Sequence, residues 1–207
     1  PAGVLPSVAR MMAELMTEPL AGTPEGTVAA EALPRALKLL GGKNAVLVGP
    51  GLSTNPATAK FVLGLLPKIE VPCVIDADGL NIVAAKIDIL KRLAAPVVLT
   101  PHPGEFARLV GRTSGEVLRH RLELVPEFAV KHRVTVVLKG HRTLVAGPDG
   151  RVFVNPTGNP GMATGGTGDV LGGMIASQLA QEKDFLGAVL SAVYAHGLAG
   201  DVAAPYM

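Results

Sequence analysis

The sequence predicts an α/β layered fold around a mostly parallel sheet. Three observations carry that reading. Short β-branched apolar runs recur without the alternation of a half-exposed strand. Stretches with helical character separate them, and each run ends in glycine and polar residues. Unalternating runs suit strands covered on both faces. Strands alternating with helices are the pattern of a sheet carrying helices on its faces.

Taken in order, Ala21 to Thr27 (AGTPEGT) reads as a loop rather than an interdomain linker. Ala45-Val46-Leu47-Val48 is the first strand, before GPGLSTNP, and Ala57 to Leu66 the helix that follows. Cys73-Val74-Ile75 leads into DADGLN and a helix over Leu80 to Leu93. Val97-Val98-Leu99 leads into TPHPGE and helices over Gly104 to Val110 and Ser114 to His132. Thr135-Val136-Val137-Leu138 runs into KGHRT. TLVAG-PDG-RVFVN then reads as two strands joined by a Pro-Asp-Gly turn, hence a β-hairpin. The glycine-rich stretch GNPGMATGGTGDVLGG precedes two helices, Asp169 to Gln181 and Phe185 to Leu198. In the first of these, Leu171, Met174, Ile175 and Leu179 share a buried face.

The 207 residues suffice for one substantial domain, and residues 1–207 show no convincing internal boundary or repeat. A hydrophobic content of 48% argues against disorder. The most apolar stretch, FLGAVLSAVYAHGLAG, carries His196 and reads as a buried helix rather than a membrane span. The single cysteine, Cys73, sits in a strand-like run and has no internal partner for a disulfide. It reads as a buried thiol in a reducing, cytoplasmic compartment. Net charge is +2 and aromatics make up 3% of residues, which speaks against a nucleic-acid surface.

In an open α/β sheet, ligands bind outside the carboxyl ends of the strands. GPG, DADGLN, TPHPGE, LKG and GTGD are therefore expected to face one crevice. In GTGD, Gly165, Gly166 and Gly168 permit a tight turn and close backbone approach. The amides opening the next helix offer a seat for a phosphoryl group without a lysine. Two readings stand for Asp169: a helix-start cap, or a general base taking a proton from an attacking hydroxyl. The stretch matches neither a P-loop nor a dinucleotide fingerprint. In TPHPGE, two prolines frame His102, a structural residue or a ligand contact. Glu105 is a helix-start acid or a water-mediated partner for magnesium. Lys139 is a surface charge or a nucleotide contact. Asp78 and Asn81 read as turn formers or site residues, and Asp76, nearest the strand end, is the one of that group expected to face the crevice. His120, His132 and His196 receive no role.

Together, VGPGLS, VIDADGLN, TPHPGE, LKG-x-x-T and GNPGMATGGTGDVL resemble, in order and spacing, the ADP/ATP-dependent NAD(P)H-hydrate dehydratases of the ribokinase-like superfamily. The resemblance covers nearly the whole chain. GTGD alone is shared across the superfamily, whereas its longer context together with TPHPGE is far more specific. The resemblance implies a ribokinase-like three-layer sandwich with a mostly parallel central sheet flanked by helices. It implies repair of hydrated nicotinamide dinucleotides, NADHX and NADPHX, with ADP or ATP as phosphoryl donor and Mg2+ bound with the nucleotide. On it, Asp169 matches the base, and Gly166, Thr167 and Gly168 the anion hole. Lys139, Gly140, His141, Arg142, Thr143 and Gly168 match nucleotide contacts, and Gly51, His102 and Asp169 substrate contacts. No metal-ligating side chain is implied. A homo-oligomer is expected, and an epimerase as a fused domain or functional partner. Family members also carry further sequence before the position of Pro1 and beyond that of Met207, so the domain reads as incomplete at both ends. Two alternatives stay open: a ribokinase-like kinase acting on a vitamin-precursor alcohol, and a nucleotide-binding regulatory module without turnover.

Overall fold

The computed structural model describes residues 1–10 and 14–204; Met207 lies outside them. After a short helix α1 (Leu5–Ala9) and helix α2 (Leu33–Leu40), strand β1 (Val46–Val48) opens a six-stranded sheet. Then follow α3 (Pro56–Leu65), β2 (Cys73–Ile75), α4 (Asp78–Ala84), β3 (Val97–Leu99), α5 (Pro103–Val110), α6 (Ser114–Arg119) and α7 (Arg121–His132). Strands β4 (Thr135–Leu138), β5 (Leu144–Ala146) and β6 (Val152–Val154) complete the sheet before α8 (Thr167–Gln181) and α9 (Phe185–Ala203).

Spatial order follows chain order. Strands β1 to β4 run parallel, with Val46 opposite Cys73, Cys73 opposite Val97 and Val98 opposite Thr135. The hairpin of β5 and β6 adds antiparallel, pairing Val137 with Val145 and Val145 with Phe153. Alternation along each strand divides the core in two. Ile75, Leu99, Val136 and Leu138 pack with residues of α2 to α7, including Val62, Phe106 and Phe128. Val74, Val98, Val137 and Val145 turn the other way, onto Leu171, Ile175 and Leu179 of α8 and Val189 of α9. The sheet is thus the middle of three layers, and both faces of its central strands are buried, while the edge strand β6 leaves Val152 and Val154 exposed. That is why its central strands read as unbroken apolar runs.

Two expected helices are interrupted. The stretch from Leu80 to Leu93 is α4 followed by a separate 3₁₀ run, Ile87–Arg92. Bonding tightens there, with Lys86 N–H donating to Val83 O and Ile89 N–H to Lys86 O. Ser114 to His132 breaks at His120, where φ −116° and ψ 22° leave the helical region. A straight helix would set Val117 and Val125 roughly 80° apart; the break lets both reach full burial. Helix α9 extends beyond the expected Leu198 to Ala203, and it is not a buried helix. It buries Ala188, Val189, Ala192, Val193 and Gly197, while Tyr194, Leu198 and Val202 are exposed. By length and composition it passes the test for a membrane span, although its buried face packs in the core with α8. Cys73 is buried as expected, and burial pushes its thiol up to about 12.

Candidate active site

The loops after β1 to β4 and the start of α8 gather at one end of the sheet. The Gly49 backbone lies against that of Asp76: an added Cβ would fall inside the Asp76 carbonyl, and φ is +141°. This first turn is therefore a close-approach position that only glycine fills. It lets Asp76 N–H bond to Val48 O at 3.0 Å, extending the ladder to the strand end.

Asp76 is 1% exposed. Its Oδ1 accepts from Lys139 Nζ at 2.8 Å and from Ala77 N–H at 2.9 Å. Among the described residues its Oδ2 has no hydrogen-bond partner. That oxygen lies 3.9 Å from where a Cβ on Gly168 would stand and 3.6 Å from one on Gly172. It faces the glycine surface of α8. Asp78 and Asn81 are structural ties: Asp78 accepts from Ser53 N–H at 2.7 Å, and Asn81 accepts from Arg108 at 2.9 Å.

His102 is both a cap and a wall. Its Nδ1 accepts from the amides of Gly104 and Glu105 at 3.0 and 3.4 Å, while Glu105 Oε2 accepts from His102 N–H at 2.8 Å. This capping box holds the start of α5. With Nδ1 accepting, the ring proton is on Nε2, which lies 3.5 Å from Glu105 Oε1. Glu105 is buried, and its Oε2 is 4.0 Å from Lys139 Nζ.

Lys139 to Thr143 make the tight turn into β5. The Thr143 hydroxyl accepts from Gly140 N–H at 3.3 Å and donates to Gly140 O at 3.0 Å. Arg142 has a positive φ of 55° and donates to Pro156 O at 3.0 Å. His141 O accepts from Arg121 at 2.8 Å. Lys139 is not a free surface charge, since its ammonium turns inward to Asp76.

At the start of α8, Gly166 takes φ +89° as the N-cap residue. Val170 N–H bonds back to Gly166 O at 3.1 Å and Thr167 N–H to Thr164 O at 3.4 Å. Among the described residues the amides of Gly168 and Asp169 have no protein acceptor. They are the open donors of a helix N-terminus, where the dipole favours an anion.

A cavity of about 500 Å³ lies against this turn. It brings together His102, Lys139, Gly140, His141, Arg142, Thr143, Thr167 and Gly168. Its far wall is the segment after β6, Asn155, Thr157 to Pro160 and Met162, with Val193, His196 and Gly197 of α9. Three expected site residues stand outside its lining. Gly166 is the exposed N-cap just behind it. Gly51 sits on an exposed turn with φ +68° and open space beside it. Asp169 is exposed; Thr167, Gly168 and Leu171 share the cavity face of α8, and Asp169 lies on the flank turned from it. The cavity and the open Asp169 carboxylate thus stand on opposite sides of one helix start.

No group of three or more metal-ligating side chains exists among the described residues. Asp76, with its unpartnered oxygen, and Glu105 are the buried carboxylates nearest the cavity. That donor set fits a hydrated magnesium carried by phosphates and reached through water, not a protein cage.

Sequence reasoning missed His196, whose Nε2 is 3.0 Å from Thr167 O. It also missed Asp201, which accepts from Gly158 N–H and Asn159 Nδ2 at 2.8 and 3.1 Å. The available signal was AHGLAGD, two ionisable residues in an otherwise apolar helix.

Comparison with known proteins places this architecture. The family profile described as NAD(P)H-hydrate dehydratase matches residues 5–206. A bifunctional NAD(P)H-hydrate repair enzyme from Moorella thermoacetica is 47% identical over 205 residues, covering 99% of this chain and 38% of that relative. An ADP/ATP-dependent NAD(P)H-hydrate dehydratase from Bacillus subtilis, co-crystallized with ATP/Mg2+, superimposes with a TM-score of 0.75 at 33% identity. The match covers 99% of this chain and 68% of that one. A ribokinase-like superfamily protein from Enterococcus faecalis gives a TM-score of 0.74 at 33% identity, covering 86% of this chain and 62% of that one. The chain therefore spans little more than a third of the bifunctional relative.

Proposed function

The chain belongs to the NAD(P)H-hydrate dehydratase family, and from that premise we propose that it is the catalytic dehydratase portion of a repair enzyme that returns NADHX and NADPHX to NADH and NADPH at the expense of ADP or ATP. The observation that carries the proposal is the helix N-terminus at Thr167 and Gly168 lining a nucleotide-sized cavity, its Gly168 and Asp169 amides without a protein acceptor among the described residues and the Asp169 carboxylate on the other flank of the same turn.

Hydroxide is a poor leaving group from the hydrated ring, and phosphate is a good one. Asp169 takes the proton of the ring hydroxyl as its oxygen attacks the terminal phosphorus of the nucleotide. The bond from that phosphorus to the nucleotide oxygen breaks. The Gly168 and Asp169 amides receive the negative charge on the transferring group. The ring nitrogen's electron pair then expels phosphate, and loss of the neighbouring ring proton restores the double bond. Lys139 to Thr143 hold the nucleotide side, and His102, matched by the resemblance to the hydrated dinucleotide, lines the same cavity beside them. Gly51 is assigned to the dinucleotide side, on the turn after β1. Asp76 and Glu105 would hold the water shell of a magnesium ion, which when bound would neutralise charge on the nucleotide phosphates.

Further readings rest on narrower support. A reducing, cytoplasmic setting is proposed from the buried, unpaired Cys73. Self-association is proposed from the exposed Tyr194, Leu198 and Val202 along α9. An epimerase, fused or separate, is proposed as partner because the relative from M. thermoacetica is bifunctional.

The test incubates the full-length protein with NADHX, magnesium and either ADP or ATP. Return of the reduced ring's absorbance with stoichiometric phosphate release is expected. No conversion with either nucleotide sinks the proposal. A stable phosphoester product would move the assignment to a kinase, and nucleotide binding without any product to a regulatory module.

A further inference from the structure

Helix α9 is apolar for most of its length, yet near its end it carries His196 and Asp201, and each reaches a different wall of the cavity. Asp201 holds the segment after β6 through Gly158 N–H and Asn159 Nδ2, and those bonds keep its carboxyl below the usual range. Gly197 and Gly200 let the same segment lie directly on the helix, because a Cβ on either would strike Thr157 or Met162. His196 reaches the other wall: its Nε2 lies 3.0 Å from Thr167 O, in the first turn of α8.

That contact is singular. The turn from Ala163 to Asp169 contains Gly165, Gly166 and Gly168, the residue type with the greatest backbone freedom. Its other hydrogen bonds are local: the Thr164 and Thr167 hydroxyls pair at 2.8 Å, Thr167 N–H reaches Thr164 O, Ala163 N–H reaches Pro160 O, and Gly166 O accepts from Val170 N–H. Among the described residues, the bond from His196 is the one that ties this turn to another element of the fold. A carbonyl oxygen only accepts, so Nε2 carries the proton. Burial, opposed by this bond and assisted by the Lys139 charge, holds the ring below the ordinary imidazole value. The Nε2 proton is engaged at the carbonyl.

We propose that His196 is a positioning residue for the phosphoryl-binding turn, fixing Thr167 so that the helix start it shares with Gly168 keeps its open amides oriented at the cavity. The proposal rests on the dehydratase reading for its effect on turnover, though not for its effect on the turn itself. A neighbouring group that orients a catalytic one is commonly worth about 10- to 100-fold in activity.

The experiment compares the full-length wild type with His196→Gln, which keeps an N–H donor at similar reach, and His196→Leu, which keeps bulk and removes the donor. Two quantities are read: kcat and KM for ADP with NADHX, and amide hydrogen exchange across residues 160–171. His196→Leu is expected to lower kcat about 10- to 100-fold with KM for ADP within about threefold. Exchange should quicken at residues 163–169 and stay unchanged elsewhere. His196→Gln should restore most of both. Wild-type exchange of the turn in His196→Leu overturns the proposal, as do equal losses in the two variants. Should His196→Leu fail to fold, a folded His196→Gln with native exchange and kcat supports the proposal, and one with a loosened turn overturns it. A wild type that leaves NADHX unchanged sinks the dehydratase reading, while the exchange comparison still decides the role of His196.

Discussion

The Lys139 ammonium lies 2.8 Å from the Asp76 carboxylate, joining the end of β4 to the end of β2 across β3. Asp76 is 1% exposed, and the Lys139 side chain is 20% exposed. The ammonium beside the Gly168 turn is thus already partnered inside the protein. An added Cβ on Gly168 would sit 3.1 Å from Lys139 Nζ. The ion pair floors the cavity directly beneath the start of α8.

Breaking one side of that pair leaves a buried carboxylate uncompensated. Lys139→Met is expected to destabilise the fold by about 3 kcal/mol. The double variant with Asp76→Asn should recover more than half of that loss. Urea unfolding of the two single variants and the double variant reads the coupling, and additive losses would argue that the pair does not hold the floor.

Asp169 is exposed and makes no side-chain hydrogen bond among the described residues, so its removal should barely touch the fold. Asp169→Asn is expected to change stability by at most about 1 kcal/mol, the scale of a charge at a helix start. Turnover should fall by about 10²- to 10⁴-fold. ADP affinity, measured by titration calorimetry, should stay within about threefold. Unchanged turnover would remove Asp169 as the base.

Gly49 and Gly51 make a contrasting pair within one turn. A Cβ on Gly49 has no room against the Asp76 backbone, and Gly49→Ala should cost ~2–5 kcal/mol in urea unfolding. Gly51 has open space and only a positive φ, so Gly51→Ala should cost about 1 kcal/mol. Steady-state kinetics then test the assigned role of Gly51: KM for NADHX should rise severalfold in Gly51→Ala while KM for ADP holds.

Acid should weaken the fold before the carboxylates titrate. Burial holds both His132 and His196 below the ordinary imidazole value of about 6.5. The unfolded chain therefore binds more protons than the folded one in this window, and stability rises with pH there. The contribution is fully present above about pH 6.5 and is lost as pH falls through the lowered folded values. His132 stacks on Phe128 at 4.3 Å, and its Nδ1 has no partner among the described residues. His132→Phe should flatten the acid limb of the unfolding midpoint plotted against pH. An unchanged limb would assign the acid sensitivity to other groups.

Much of the site was legible because its signals are local. Framing prolines and a glutamate three residues on from His102 are enough to write a helix start, and the structure adds that the same imidazole walls the cavity. The glycines before Asp169 likewise announce a turn and a helix N-terminus. By contrast, the break at His120 has no breaker residue at the break. It is seen only in the folded chain, where Val117 and Val125 both reach full burial on either side of it. The inward turn of Lys139 depends on a carboxylate 63 positions away in sequence.

By itself, then, the sequence determined the layered α/β class, the order of its strands, and the chemistry offered at the strand ends, since periodicity, turn residues and capping all act over a few neighbouring positions. Only the tertiary structure decided which of those groups meet. It set Asp76 against Lys139, His196 against Thr167, and Asp169 on the flank of α8 away from the cavity. Those relations are made by packing elements far apart along the chain, and the orientation of a side chain at such a junction is settled by what the opposite element presents to it.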